Sequence, residues 1–363
     1  MKQMQNRAVG CVYGQFIGDA LGSRYEFHDA DETRKRMKDD QGNKSLLPLL
    51  GDGPFNYGPG VVTDDGEMAQ SLLSSCIRMH CMDPSNVACS YARWRQSNPP
   101  DIGNTCSAAL SFRAASLDSQ AIEAVTKLKS ANWIDTISPE QRLTIGGLVE
   151  RNVREHNSPS LSNGSLMRQS VLAAFFSNDD DPATLFSAVH SDTLLTHCHN
   201  DAITASLVYA RALRLLIRGA TPEQTYDECL SQVESPLIRR ILEDSKHKAT
   251  PVVLSDLKTV TEGDKKAVGY LGVALQSAFY SLLHCSSFEE GVTEAVGRGG
   301  DTDTNGAIVA AMLGARFGVD GIPDEWKDSV SVAPMRMQGE NGIESFEYLM
   351  EGIKKRYEKD STV

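Results

Sequence analysis

Four carboxylates and several hydroxyls sit at two places where this chain looks ready to enter a helix. One is Thr63-Asp64-Asp65. The other is Asp301-Thr302-Asp303-Thr304-Asn305, which follows Gly299-Gly300. Their oxygens are hard donors, suited to Mg²⁺, Mn²⁺ or Ca²⁺ rather than to zinc. Each stretch alone also fits an ordinary helix cap, because Thr favours that position and acids in a first turn gain ~0.3–1 kcal/mol from the helix dipole. Together they favour chemistry. Four converging like charges are strongly unfavourable without cations between them, and two metal ions ~3.5–4 Å apart remove that cost.

Other residues are candidates on their type and setting. Glu26 lies between Tyr25 and Phe27. It reads either as a surface acid beyond a helix end or as a desolvated acid with a raised pKa, useful for proton transfer. Asn163-Gly164-Ser165, leading into Leu166-Met167-Arg168, reads as common turn chemistry or as backbone N–H groups at a helix N-terminus holding a phosphate. Asp101-Ile102-Gly103-Asn104-Thr105 follows a double proline and taken alone is a helix entrance. His197 and His199 flank Cys198, but no second His/Cys cluster completes a zinc set. A hydrogen-bonded histidine is the plain reading.

The elements that must position these residues are helical. Val268, Leu271, Leu275, Ala278, Phe279, Leu282 and Leu283 follow i, i+3, i+4 spacing, as do Ile203, Leu207, Ala210, Leu213, Leu216 and Ile217. The stretch from Met68 to Met79 reads the same way, and strand alternation is scarce. Gly10, Gly14, Gly18 and Gly22 form a row of small residues. Gly306, Ala310, Gly314 and Gly318 form a second, with Ala307, Ala311 and Ala315 beside it. Residues four apart share one helix face, and mid-helix glycine costs ~1 kcal/mol against alanine, so each row needs a reason. Close backbone approach in a packed helical core is the simplest. A membrane version is untenable, because Gln15, Asp19 and Arg316 interrupt the apolar surface.

Breaks are expected at Ser97-Asn98-Pro99-Pro100 and Asn157-Ser158-Pro159, with Asp181-Pro182 opening a helix. Residues 28–60 read as a long surface loop with a short charged helix at Asp31 to Lys38, and residues 359–363 as a frayed tail. With no shift of composition along the chain, the expectation is one all-α domain over residues 1–363, its core at about 7–326. Loops and helix N-termini would carry the chemistry.

Composition narrows the function classes. A 363-residue chain is long enough to bury a sizeable core. A formal net charge of −12 argues against a general nucleic-acid binder, although metals can supply the charge a diphosphate needs. The eight cysteines include no C-x-x-C pair, and they read as reduced, mostly buried thiols. No apolar run approaches the ~20 residues of a membrane span, and no signal-peptide core is seen, so a cytoplasmic protein is expected.

Six motifs occur in an order that resembles the ADP-ribosylglycohydrolases, the family of dinitrogenase-reductase-activating glycohydrolase and the ADP-ribosylarginine hydrolases. They are Gly18-Asp19-Ala20-Leu21-Gly22, Val62-Thr63-Asp64-Asp65-Gly66-Glu67-Met68, Asp101-Ile102-Gly103-Asn104-Thr105, Asn163-Gly164-Ser165-Leu166-Met167-Arg168, Thr196-His197 and Gly299-Gly300-Asp301-Thr302-Asp303-Thr304-Asn305. The resemblance implies a compact all-α fold with two Mg²⁺ (or Mn²⁺) ions. Thr63, Asp64 and Asp65 would ligate from one side, and Asp301, Asp303 and Thr304 from the other. Asn163, Gly164, Ser165 and His197 would contact the ADP-ribose diphosphate or ribose. Gly103, Asn104 and Thr105 would border the distal ribose. Asp65, Asp303, Asp101 and Glu26 are the catalytic candidates.

The implied activity is metal-dependent removal of ADP-ribose from a protein side chain, arginine first, reversing a mono-ADP-ribosyltransferase or toxin. Serine-linked ADP-ribose and O-acetyl-ADP-ribose are alternatives. So is a non-catalytic binder that occludes a transferase or its target. The family usually has Thr or Ser where this chain has Gly66. That departure raises the expectation of a looser metal or a wider mouth.

Overall fold

The computed structural model describes residues 2–113, 115, 117–130, 132–249, 268–336 and 344–358. Eighteen α-helices make up the described chain, with two isolated β-bridges and no strand among the described residues. No helix among them is long and apolar enough to cross a membrane.

The two rows of small residues meet. Helix α1 (Lys2–Gly22) runs antiparallel to α16 (Thr302–Phe317). Gly10 faces Gly314, Gly14 faces Ala310, Gly18 faces Gly306, and Gly22 faces Thr302. A Cβ built on Gly10 would stand 2.5 Å from the Gly314 carbonyl oxygen, and one on Gly306 2.7 Å from that of Gly18. Backbone touches backbone along the seam. The entropic cost of each glycine is offset by an approach no side chain permits.

A matched pair of substitutions tests this. Gly18→Ala must push two backbones apart and is expected to cost ~3 kcal/mol or more. Gly147 is an exposed glycine within α8 (Pro139–His156) with open space around its Cβ position. There the same change is expected to stabilise by ~0.5–1 kcal/mol. Urea midpoints moving together in both variants would count against the seam.

The remaining helices wrap this pair. They are α2 (Ala30–Gln41), α3 (Asp64–Met79), α4 (Pro84–Gln96), α5 (Asn104–Leu110), α6 (Ser119–Lys127), α7 (Trp133–Thr136), α9 (Gln169–Phe176), α10 (Pro182–Thr193) and α11 (Asn200–Ile217). Further along come α12 (Pro222–Gln232), α13 (Pro236–Ser245), α14 (Leu271–His284), α15 (Phe288–Val296), α17 (Asp324–Val332) and α18 (Phe346–Arg356). Breaks fall as expected. α4 ends before Ser97-Asn98-Pro99, α8 stops at His156, and Asp181 caps α10 with its side chain on Ala183 N.

Residues 28–60 hold the expected charged helix followed by irregular chain, but several of their side chains are buried. The charged helix is longer, Ala30–Gln41, and Arg24 pins its end through a bidentate pair with Asp40 at 2.7 and 2.9 Å. Leu46, Leu47 and Leu49 are buried, and Trp326 Nε1 donates to Leu47 O at 2.7 Å. Three leucines in a polar stretch supply too few positions to show a period, yet they dock the segment. The apolar core also continues past Trp326, because Phe346, Leu349, Met350 and Ile353 of α18 are buried. The expected fraying of residues 359–363 lies outside the described residues.

Candidate active site

The N-termini of α3 and α16 open onto one cavity of about 770 Å³. Asp64 and Asp65 reach it from α3. Asp301, Asp303 and Thr304 reach it from α16, and Glu26 and Asp101 complete the wall. Glycine makes the second entry possible. Gly299 and Gly300 have φ of 75° and 80°, and Gly299 packs against the backbone of His28 and Asp29. Gly300 O then accepts from Phe27 N at 2.8 Å, which ties the Glu26 segment to the α16 entry.

α3 is held from outside itself. Asp19, a fully buried acid on α1, accepts from Thr63 N at 2.9 Å and from Gly66 N at 2.8 Å. Those N–H groups belong to the helix start, which has no intrahelical partner for them. Burial pushes the Asp19 carboxyl up to about 7 against the pull of these donors. Thr63 caps α3 as its sequence allows, accepting from Asp65 N at 3.4 Å. Asp301 takes the cap position of α16 without a side-chain cap bond and instead accepts from Asn163 Nδ2 at 2.7 Å.

The acids crowd one another. Glu26, Asp301 and Asp303 each place a carboxylate oxygen within 4.8 Å of the others. Thr304 Oγ1 donates to Asp65 Oδ1 at 3.3 Å, and Gly103 N donates to Asp64 Oδ2 at 3.2 Å. Burial first, then the neighbouring carboxylates, hold Asp64, Asp65 and Asp303 well above the usual carboxylate range. Glu26 is pushed up to about 10 by burial and then by Asp301, Asp101 and Asp64. Half-buried Asp101 is raised to about 6 by burial and by Asp301.

Buried Glu26 Oε2 and Asp65 Oδ2 have no hydrogen-bond partner. Six acids line the cavity and no Lys or Arg does among the described residues. Unpartnered buried carboxylate oxygens, with no described Lys or Arg among them, fit hard divalent cations.

Several sequence candidates stand elsewhere than expected. Thr63 and Ser165 are fully buried behind the wall, Ser165 beside Ser206 Oγ at 3.1 Å. His197 is also fully buried, with Ser162 between it and the cavity. Asn163–Ser165 is a single 3₁₀ turn, and the helix beyond it begins only at Gln169, so no helix N-terminus lies there. Gly103, Asn104, Thr105, Asn163 and Gly164 do line the cavity.

Gly66 does not stand at the mouth, being outside the cavity lining. It lies under the wall, where a Cβ would meet Val62 Cβ at 2.5 Å and Asp19 Oδ2 at 2.8 Å. Val62 occupies the space a larger residue would need. The sequence reading gave no role to Asp19, Ser160 or Ser162. For Asp19 the signal was present, an acid inside a row of glycines.

The profile of the ADP-ribosylglycohydrolase family matches residues 1–358, the site and its scaffold included. The chain belongs to the ADP-ribosylglycohydrolase family. A relative from Acanthamoeba polyphaga mimivirus that bears the family's name is 29% identical over 333 residues, covering 89% of this chain and 90% of its own. The ADP-ribosylarginine hydrolase Tri1 of Pseudomonas putida (strain GB-1) is 23% identical over 332 residues, covering 91% of this chain and 76% of its own. Among solved structures, an ADP-ribosylglycohydrolase-related protein complex superposes with a TM-score of 0.64 at 22% identity. The match covers 98% of this chain and 99% of that one, and it shows that the fold is shared. As an ADP-ribosylglycohydrolase the chain is a hydrolase, and its acid-lined cavity is the family's candidate active site.

Proposed function

We propose that this chain hydrolyses the bond between C1″ of ADP-ribose and an arginine side chain of a modified protein, using two Mg²⁺ ions or Mn²⁺ in their place. The observation that carries the reading is a cavity lined by six carboxylates and, among the described residues, by no Lys or Arg. Such a mouth attracts a guanidinium, and its acids demand divalent cations. The name of the Pseudomonas relative, an ADP-ribosylarginine hydrolase, supports the same acceptor.

Asp64, Asp65, Asp301, Asp303 and Thr304, all in the cavity lining, would hold the ions. Bound there, the ions would offset the acid charge and supply the Lewis acidity that makes a water nucleophilic near neutral pH. Asp65 or Asp303 takes the proton that water loses as its oxygen bonds C1″. The C1″–N bond breaks, and an acid returns a proton to the departing nitrogen. Asp101, raised to about 6, can carry a proton near neutrality and sits at the rim. The products are ADP-ribose and an unmodified arginine, which reverses a mono-ADP-ribosyltransferase or toxin.

Release of free ADP-ribose from an arginine-ADP-ribosylated protein tests this, with Mg²⁺ and with EDTA. Metal-dependent release is expected, faster than from serine-linked substrate or O-acetyl-ADP-ribose. Faster release from either of those reassigns the acceptor. No release from any of the three, with Mg²⁺ or Mn²⁺, sinks the hydrolase reading in favour of an occluding binder.

A further inference from the structure

Behind the cavity wall, hydrogen bonds run from a buried arginine to three hydroxyls at the surface. Arg168 is fully buried and paired with Asp192 at 2.8 Å. Its Nη2 donates to Thr196 Oγ1 at 2.8 Å. A guanidinium only donates, so Thr196 Oγ1 accepts here. Thr196 is itself fully buried and has one proton to give. Among the described residues its remaining partner is His197 Nδ1, at 2.8 Å. Nδ1 is therefore an acceptor, and the neutral ring carries its proton on Nε2. Burial and the Arg168 charge keep that ring neutral by holding His197 down to about 3.

The direction then propagates. His197 Nε2 lies 2.7 Å from Ser162 Oγ and donates to it. Ser162 Oγ donates to Thr105 Oγ1 at 3.1 Å, which leaves Thr105 to donate to Ser160 Oγ at 2.8 Å. Ser160 Oγ also accepts from Ser162 N at 3.4 Å, and its own proton has only a 3.4 Å contact back to Ser162 Oγ, the weakest link of the ring. All three hydroxyls line the cavity.

We propose that Arg168 and Thr196 are positioning residues that lock His197 in its Nε2–H form, so that the Ser160 hydroxyl is offered to the cavity as a donor for an anionic ligand oxygen. The opposite tautomer reverses every step and turns lone pairs toward the cavity, which repels an anion. The relay therefore sets the polarity of this wall from a site the ligand never touches. Among the described residues the lining holds no Lys or Arg, so neutral donors are what it offers an anion. Naming that anion as the ADP-ribose diphosphate rests on the hydrolase reading above.

The test reads the relay and the ligand separately. Long-range ¹H–¹⁵N spectra of histidine-labelled protein report the tautomer, with His197 assigned by its absence in His197→Gln. Nε2–H is expected in the wild type. Thr196→Val should abolish that preference and weaken ADP-ribose, measured by calorimetry with Mg²⁺ present, roughly tenfold, as for one lost hydrogen bond to a charged group. Thr196→Ser should restore both, which a merely structural role for the hydroxyl does not require. An Nδ1–H wild type overturns the relay, as does an unchanged tautomer in Thr196→Val. Failure of the wild type to bind ADP-ribose, with Nε2–H in place and ADP-ribose release intact, overturns the diphosphate assignment alone, whereas loss of release as well overturns the hydrolase reading beneath it.

Discussion

At pH 8, a hundredfold excess of Mg²⁺ over its Kd should raise the thermal midpoint by about 5 °C, and EDTA should reverse the gain. The size follows from linkage. Such an excess stabilises by ~2.7 kcal/mol, and a chain this long moves roughly 2 °C per kcal/mol. The pH dependence carries the diagnostic sign. Asp64, Asp65 and Asp303 are raised in the folded chain, Asp101 to about 6 and Asp19 to about 7, against ~3.9 for an ordinary aspartate. Between those limits the native state binds more protons than the unfolded chain. Stability in EDTA should therefore be greatest near pH 4–5 and fall as pH rises through 7, opposite to a protein whose acids are paired. Saturating Mg²⁺ should flatten that slope. Melting curves at pH 5 and pH 8, with and without metal, check it. A midpoint at pH 8 indifferent to Mg²⁺, Mn²⁺ and EDTA would remove the metal from the account.

Asp303→Asn should lower ADP-ribose release at least a hundredfold while making the metal-free protein more stable at pH 8. Asp303 is buried against Glu26, Asp301 and Asp65, and each of these raises its pKa beyond what burial does. The isosteric amide removes one of the repelling charges and keeps the volume, so the fold gains. The same change removes an oxygen placed to hold a cation and stabilise developing charge, the kind of loss that costs 10²–10³ in turnover. The midpoint gain with Mg²⁺ should shrink in parallel. Opposite signs for stability and activity distinguish a functional acid from a structural one. A variant that melts lower in EDTA, or that keeps turning over, makes Asp303 part of the scaffold.

Much of this was readable from residue order. Repeating Gly and Ala every fourth position required a close helix contact, and the acids at two glycine-led helix starts marked the cavity. What the order lacked was the partner. Nothing local to Gly14 says that Ala310 lies opposite it, since the pairing is set by packing between distant segments. Asp19 was legible as an odd acid, but its task on Thr63 and Gly66 appears only when α1 and α3 meet. His197 matched a binding motif, whereas its position behind Ser162 depends on how the turn after α10 meets the segment before Asn163. The burial of Leu46, Leu47 and Leu49 was not legible, because three docking positions form no period.

The seam between α1 and α16 also acts as a ruler. Gly22 lies against Thr302, one residue from Asp303, and Asp19 on the same helix holds the start of α3. Both halves of the acid cluster are thus dimensioned from a single rod. Deleting one residue within α1 would turn everything beyond it by about 100° and shorten it by about 1.5 Å, carrying the glycines off the contact line. The peripheral helices have no such graduation. Those helices can be lengthened or exchanged without altering that spacing, whereas the span from Gly10 to Gly22 cannot.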